Sequence, residues 1–313
     1  PVYRNFLVSP RIPPEIVLQT IQHIPFSNGA LISALRNAHP RLRALFSTYE
    51  QSLTRQFMQT ELRHAERDFP CEQGAFSLTW LASCVRTYDI IDDIMDALCS
   101  PHNFTAITPH NVFLGYTGFL LLHRISLLEK TGGDAQRYIE SLQKDALTAI
   151  YLSLHHSTLA ARYHGSGWIN QRTYGVSMSS EHLSLRNELE FCFAEAALSE
   201  GPEFVSDTLL LHRERSDCEV VLLNFYHEYG VRGWEGPCEG AKGGFEPPRT
   251  QGPRREGDRK SLWVTVLKCL AGWMRCEVGS VRERVERELE STEHRLANLT
   301  LGGKEWLLRG RDL

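Results

Sequence analysis

"IPPEIVLQTIQHIP", residues 12–25, sets two prolines ahead of a regularly spaced run of aliphatic residues. Pro13 and Pro14 stand where a first helical turn tolerates proline, because an N–H there would have no partner within the helix. Val17, Ile21 and Ile24 then recur at four- and three-residue steps, the spacing of one helix face. Pro25 closes the run. No two-residue alternation of a strand runs through it. The stretch reads as a short helix that starts and stops at prolines.

The downstream sequence reads the same way, and the expected class is all-α. "NGALISALRNA" (28–38) predicts a second helix, ended by Pro40. That proline opens a third, expected over 40–69, with Leu42, Leu45, Phe46, Tyr49, Leu53, Phe57 and Leu62 along one stripe. Further helices are expected over 76–99, over 110–130 behind Thr108-Pro109, over 132–156 behind Asp134 as a cap, over 179–201 and over 216–229. Residues 236–260, rich in Gly, Pro and charge, read as a flexible loop. Two helices are expected beyond it, the second carrying a seam of Val281, Val285, Leu289 and Leu296 with Glu283 and Arg287 paired at i,i+4. The expected divisions are therefore 1–66, 67–235, the loop at 236–260, and C-terminal helices at 261–313 packed on the helical domain.

Composition bounds the function classes. The 313 residues are 42% hydrophobic and 23% charged with a formal net charge of −4, so no overall basic field points to nucleic acid or anionic lipid. The eight cysteines are scattered without a C-x-x-C pair, which argues against zinc and favours free thiols in a reducing compartment. The first residues lack the apolar core of a secretory signal. The most apolar run, 112–128, is broken by His123 and Arg124 and falls short of a membrane span. The expectation is an intracellular protein, cytoplasmic or nuclear, with no nucleic-acid, membrane or cofactor partner.

One motif asks about metal chemistry. "TYDIIDDIMDALC" (87–99) contains D-D-x-x-D, the pattern that holds magnesium against a diphosphate in terpenoid synthases. On a helix Asp89, Asp92, Asp93 and Asp96 share an arc of roughly 100°, with Tyr88, Ile90, Ile91, Ile94, Met95 and Leu98 on the other side. Diphosphate ionisation needs a second set of ligands on a facing helix. No second D-D-x-x-D or N-x-x-S/T-x-x-x-E follows. The aspartates thus read as a solvated face, with Asp92, Asp93 and Asp96 the only magnesium ligands the sequence offers. "GYTGF" (115–119) reads as a place of close helix packing, and His155, His156 and His164 as helix-end or core residues rather than a metal set.

Residues 12–25 also carry a resemblance. Ile12, Pro13, Glu15, Ile16, Ile21, Ile24 and Pro25 fall on the positions of the pattern L-P-x-E-[LI]-x-x-x-[IL]-x-x-[LI]-P that opens an F-box. "ALISALRNAHPRLRALF" (30–46) continues it with Leu31, Leu35, Ala38, Arg41, Leu42 and Leu45 in comparable places. His39-Pro40 stands where Cys-Arg is usual and Leu42 where tryptophan is common. The match covers about 45 N-terminal residues, and the helical texture beyond it is similar to that of fungal proteins beginning with an F-box. The resemblance implies a non-catalytic substrate receptor of a cullin-RING ubiquitin ligase. Ile12, Pro13, Glu15, Ile16, Ile21, Ile24, Pro25, Leu31, Leu35 and Leu42 would face the small adaptor protein, and the helical remainder would hold an unidentified target protein. A helical scaffold with a degenerate F-box is the second expectation, and a magnesium-dependent terpenoid-type enzyme the third.

Overall fold

The computed structural model describes residues 8–9, 11–71, 76–165, 169–170, 180–210, 215–230 and 261–313; the segment 236–260, expected as a loop, lies outside them. Among the described residues the protein is all-α, with no strand. It forms two compact units, Pro1–Asp89 and Ile90–Leu313.

In the first unit, α1 (Pro14–Gln22) buries Val17 and Ile21, α2 (Ala30–Ala38) buries Ile32, and both pack on α3 (Pro40–Glu61). Helix α3 starts where His39 Nδ1 accepts from the Arg41 N–H and Pro40 fills the first turn. It buries Leu42, Leu45, Phe46, Leu53, Phe57 and Met58. Tyr49, expected on that stripe, is exposed: the helix kinks there (φ −110°, ψ 16°), which turns its ring out of the seam. The helix also ends earlier than expected, and α4 (Ala65–Asp68) follows as a separate turn.

The division at 89/90 replaces the expected one at 66/67 and falls inside α5 (Leu78–Cys99). The physical reason is that 67–89 is tied to the first helices. Phe69 stacks edge-on against Tyr88 at 4.8 Å, the Tyr88 hydroxyl donates to Asp68 at 2.6 Å, and the Leu78 N–H donates to the Glu50 carboxylate.

The second unit is built around α6 (Val112–Thr131), buried on almost every side from Leu114 to Ile125. It packs chiefly on α8 (Lys144–His164) and α9 (Ser180–Glu200). The helix Pro109–Thr131 is long and apolar enough to cross a membrane, unlike the run read from sequence; about six tenths of its most apolar window is buried by its own chain. Arg124, which broke that run, donates to the Leu308 carbonyl within the bundle. The approach of α6 to α8 depends on Gly118, where an added Cβ would sit 2.1 Å from Ser153 Oγ and 2.2 Å from the Ala149 carbonyl oxygen.

Asp134 caps α7 (Ala135–Ser141) by accepting from the Arg137 N–H at 2.8 Å. The helix expected over 132–156 is broken at Leu142 and Gln143, because the C-terminal strap crosses there. Gln143 N–H donates to the Gly310 carbonyl, and Gln143 Oε1 accepts from the Asp312 N–H. Two further helices complete this side, α10 (Pro202–Leu210) and α11 (Arg215–Phe225), the latter ending in a π-turn at Tyr226–Gly230.

Helix α12 (Leu262–Met274) packs on α7, α8 and α9. Its first turn is held by Glu195, 2% exposed, whose carboxylate accepts from Ser261 Oγ and from the N–H groups of Leu262 and Trp263 at 2.8–2.9 Å. Helix α13 (Val281–Glu290) buries Val281, Val285 and Leu289 and stops at the extended Ser291, so the seam residue Leu296 is buried from the loop instead. Helix α14 (Leu301–Leu308), capped by Thr300, packs on α6.

Candidate docking surface

The residues that match the F-box opening divide into two classes on the first unit. Ile21 is 1% exposed and Leu42 3% exposed, so both belong to the internal core with Val17, Ile32, Leu45 and Phe46. Their assignment to a docking surface is corrected. Ile21 lies one helical turn beyond Val17 on the side of α1 that packs on α3, and Leu42 is on the α3 stripe itself.

The other class stays outside. Ile16 is 43% and Leu31 55% exposed. Ile12, Ile24 and Leu35 are half-buried, and Pro13, Glu15 and Pro25 are exposed. Three short helices cannot enclose this many aliphatic side chains, and the excess is left at the surface of α1 and α2. Ile16 and Leu31 have already buried about half of their surface, so burying the rest in an interface would be worth about 1 kcal/mol each.

The segment that presents them is fixed by two polar clamps. The Arg41 guanidinium donates to the carbonyls of Ser9 and Ile12 and holds the approach to α1. The Glu61 carboxylate accepts from the Phe26 N–H at 2.9 and 3.1 Å and holds the turn after Pro25. Phe26 is 1% exposed and packs on Phe57 with ring centroids 5.2 Å apart. Sequence reading passed over Phe26, because it lies between the two halves of the motif and on no helical stripe.

The aspartates of α5 are placed plainly. Asp89, Asp92, Asp93 and Asp96 are exposed, while Ile91, Ile94, Met95 and Leu98 are buried behind them. No group of three or more His, Cys, Asp or Glu side chains among the described residues is arranged to hold a metal ion. Among the described residues, no facing acids of the kind magnesium chemistry requires are gathered around Asp92, Asp93 and Asp96.

His155 and His156, expected as helix-end or core residues, lie inside α8, which runs on to the exposed His164, and they form a partly enclosed wall of the second unit. His155 stacks on Tyr151 (5.6 Å, 15°), which also stacks on Trp263 (5.7 Å, 18°), and His155 Nε2 lies 3.1 Å from Glu286. His156 Nδ1 donates to the Thr105 carbonyl at 2.7 Å, since a carbonyl can only accept. Burial lowers both imidazole pKa values, His155 to about 4. The cysteines Cys84 and Cys192 are pushed up to about 12 by burial, which leaves their thiols protonated and unreactive at neutral pH. Comparison with protein-family models, with curated proteins and with solved structures finds no match to this chain.

Proposed function

We propose that the protein is a non-catalytic receptor that docks on the F-box adaptor of a cullin-RING ubiquitin ligase through its first unit and presents a target protein on its second. The observation that carries this reading is the aliphatic excess on α1 and α2: Ile16 and Leu31 stay exposed although the unit has a closed core of its own. Those side chains fall on positions of the F-box pattern, and an interface with an apolar centre would cover them. Glu15, Pro13 and Pro25, all exposed, would form its polar and turn-forming rim. The receptor's contribution is proximity: it raises the local concentration of target lysines beside a charged ubiquitin and performs no bond chemistry itself. Such ligases work in the cytoplasm and nucleus, and free cysteines suit those compartments.

The test is co-purification of the full chain with its host's F-box adaptor, beside the Ile16→Asp/Leu31→Asp double variant. Both positions are exposed, so the variant keeps its core and its circular dichroism spectrum. A stoichiometric complex lost in the variant is the expected result. A folded wild-type chain that binds no adaptor, or a variant that binds as well, overturns the reading.

A further inference from the structure

Residues 291–299 connect α13 to α14 and carry Leu296 and Leu299, both buried. Hydrogen bonds pin this connector to the turn Pro109–Asn111 ahead of α6. The buried Asn111 amide donates through Nδ2 to the Leu289 carbonyl at 3.0 Å, so its Oδ1 is the acceptor that faces His294. His294 Nε2 lies 2.9 Å from that oxygen and must carry the proton. The Leu296 N–H donates to His294 Nδ1 at 3.1 Å, so this second nitrogen must be unprotonated. The Asn298 N–H donates to the His110 carbonyl at 2.7 Å and completes the set.

Both ring nitrogens are thus committed, one as donor and one as acceptor, an arrangement only the neutral imidazole can make. A proton added at Nδ1 would set a donor against the Leu296 N–H and break that bond. It would also charge a ring whose centroid is 5.5 Å from that of His110. His110 Nε2 is itself held as a donor to the Leu289 carbonyl at 3.0 Å. The groups whose charge acts on His294 are His110, from the turn ahead of α6, and Glu288, from α13, which is paired with Lys144 at 2.6 Å. Arg295, next along the connector, is engaged by Asp145 of α8. Loss of solvation lowers the pKa of His294, His110 lowers it further, and Glu288 opposes both.

We propose that His294 is a proton-operated latch: while neutral it seats residues 291–299 on the turn ahead of α6, and when protonated it releases them and uncovers Leu296 and Leu299. The released ring binds its proton at about pH 6.5, and the latched ring resists it. The latch therefore holds fully above about pH 6.5 and weakens as the pH falls. It is independent of the receptor reading above, since all of its groups lie in the second unit.

The experiment is hydrogen exchange of the full chain, read by mass spectrometry at about pH 7.5 and about pH 5.5, each rate corrected for the intrinsic rate at that pH. The expected result is a loss of protection of about tenfold in residues 291–299, the ratio set by a released ring that titrates about one unit above the lower pH. Helix α6 keeps its protection. His294→Asn keeps an acceptor for Leu296, because an Asn oxygen also bonds the N–H two residues on, but it does not titrate. In that variant the protection of the connector is the same at both pH values. In His155→Gln, which leaves the latch untouched, the tenfold loss persists. Unchanged protection in the wild-type chain, a loss that extends equally to α6, an equal loss in His294→Asn, or a loss abolished in His155→Gln overturns the latch. The wild-type comparison decides by itself should His294→Asn lack the wild-type circular dichroism spectrum.

Discussion

Gly118 and Gly272 show how one residue type has opposite value at two places. Gly118 sits where α6 meets α8, and a methyl group there would overlap Ser153 Oγ and a backbone carbonyl that cannot give way. Gly272, in the last turns of α12, has open space around the position of a Cβ. Gly118→Ala should therefore destabilise by about 2–3 kcal/mol through forced separation of two packed helices. Gly272→Ala should stabilise by about 0.5–1 kcal/mol through a lower chain entropy in the unfolded state. Chemical denaturation of the two variants checks both signs, and a neutral Gly118→Ala would show that α6 and α8 are not in close contact there. The packing role of "GYTGF" was legible because glycine inside an apolar helical run has few other uses. The inward turn of Ile21 and Leu42 was legible too, since the helical stripes already placed them with Val17 and with Leu45. The F-box pattern, which names positions and not faces, drew them to a docking surface instead.

Among the elements, helices that begin at a proline or a capping side chain were legible, and breaks imposed from a distance were not. Pro13 and Pro14, Pro40 and Asp134 announce α1, α3 and α7 within a few residues of where they start. The break between α7 and α8 depends on Gly310 and Asp312, far along the chain. The same strap makes Asp145, 0% exposed, a strong determinant of how the C-terminal helices dock. Its carboxylate accepts from the Arg295 guanidinium and from the Leu313 N–H, and burial raises its pKa. Arg295→Ala leaves a buried carboxylate with one backbone donor, a loss of about 2–4 kcal/mol. Adding Asp145→Asn to that variant removes the buried charge while keeping an oxygen for Leu313, and should recover most of the loss. A double-mutant cycle by urea unfolding measures the coupling. Strict additivity would mean that the pair contributes nothing to holding the strap.

For the molecule as a whole, the division into two units was not legible where it was expected, because the helix that contains the boundary is continuous in sequence. The acidic face of α5 was legible, since an amphipathic pattern already separates its two sides. What the sequence could not show is that the larger unit encloses several histidines, and this sets its response to acid. His123, His155 and His156 are half-buried in it, and partial loss of solvation lowers each pKa, that of His155 to about 4. The unfolded chain takes up protons near pH 6.5, while the folded unit keeps these rings neutral. Their contribution is therefore complete above about pH 6.5 and is lost as the pH falls toward the folded values. Asp145 acts in the opposite sense, because its raised pKa lets the folded state protonate first and relieves buried charge, but only in the lower carboxylate range. The imidazoles thus govern the first part of an acid titration. At about 1.4 kcal/mol per unit of displacement, His155 alone would cost up to about 3 kcal/mol by pH 4. Urea midpoints followed by circular dichroism at about pH 7, 6 and 5 should fall steadily in the wild-type chain, and the slope should flatten in His155→Gln. A midpoint that does not move between those conditions would mean that the imidazoles are solvated, and that the wall they form between α8 and α13 is open to water.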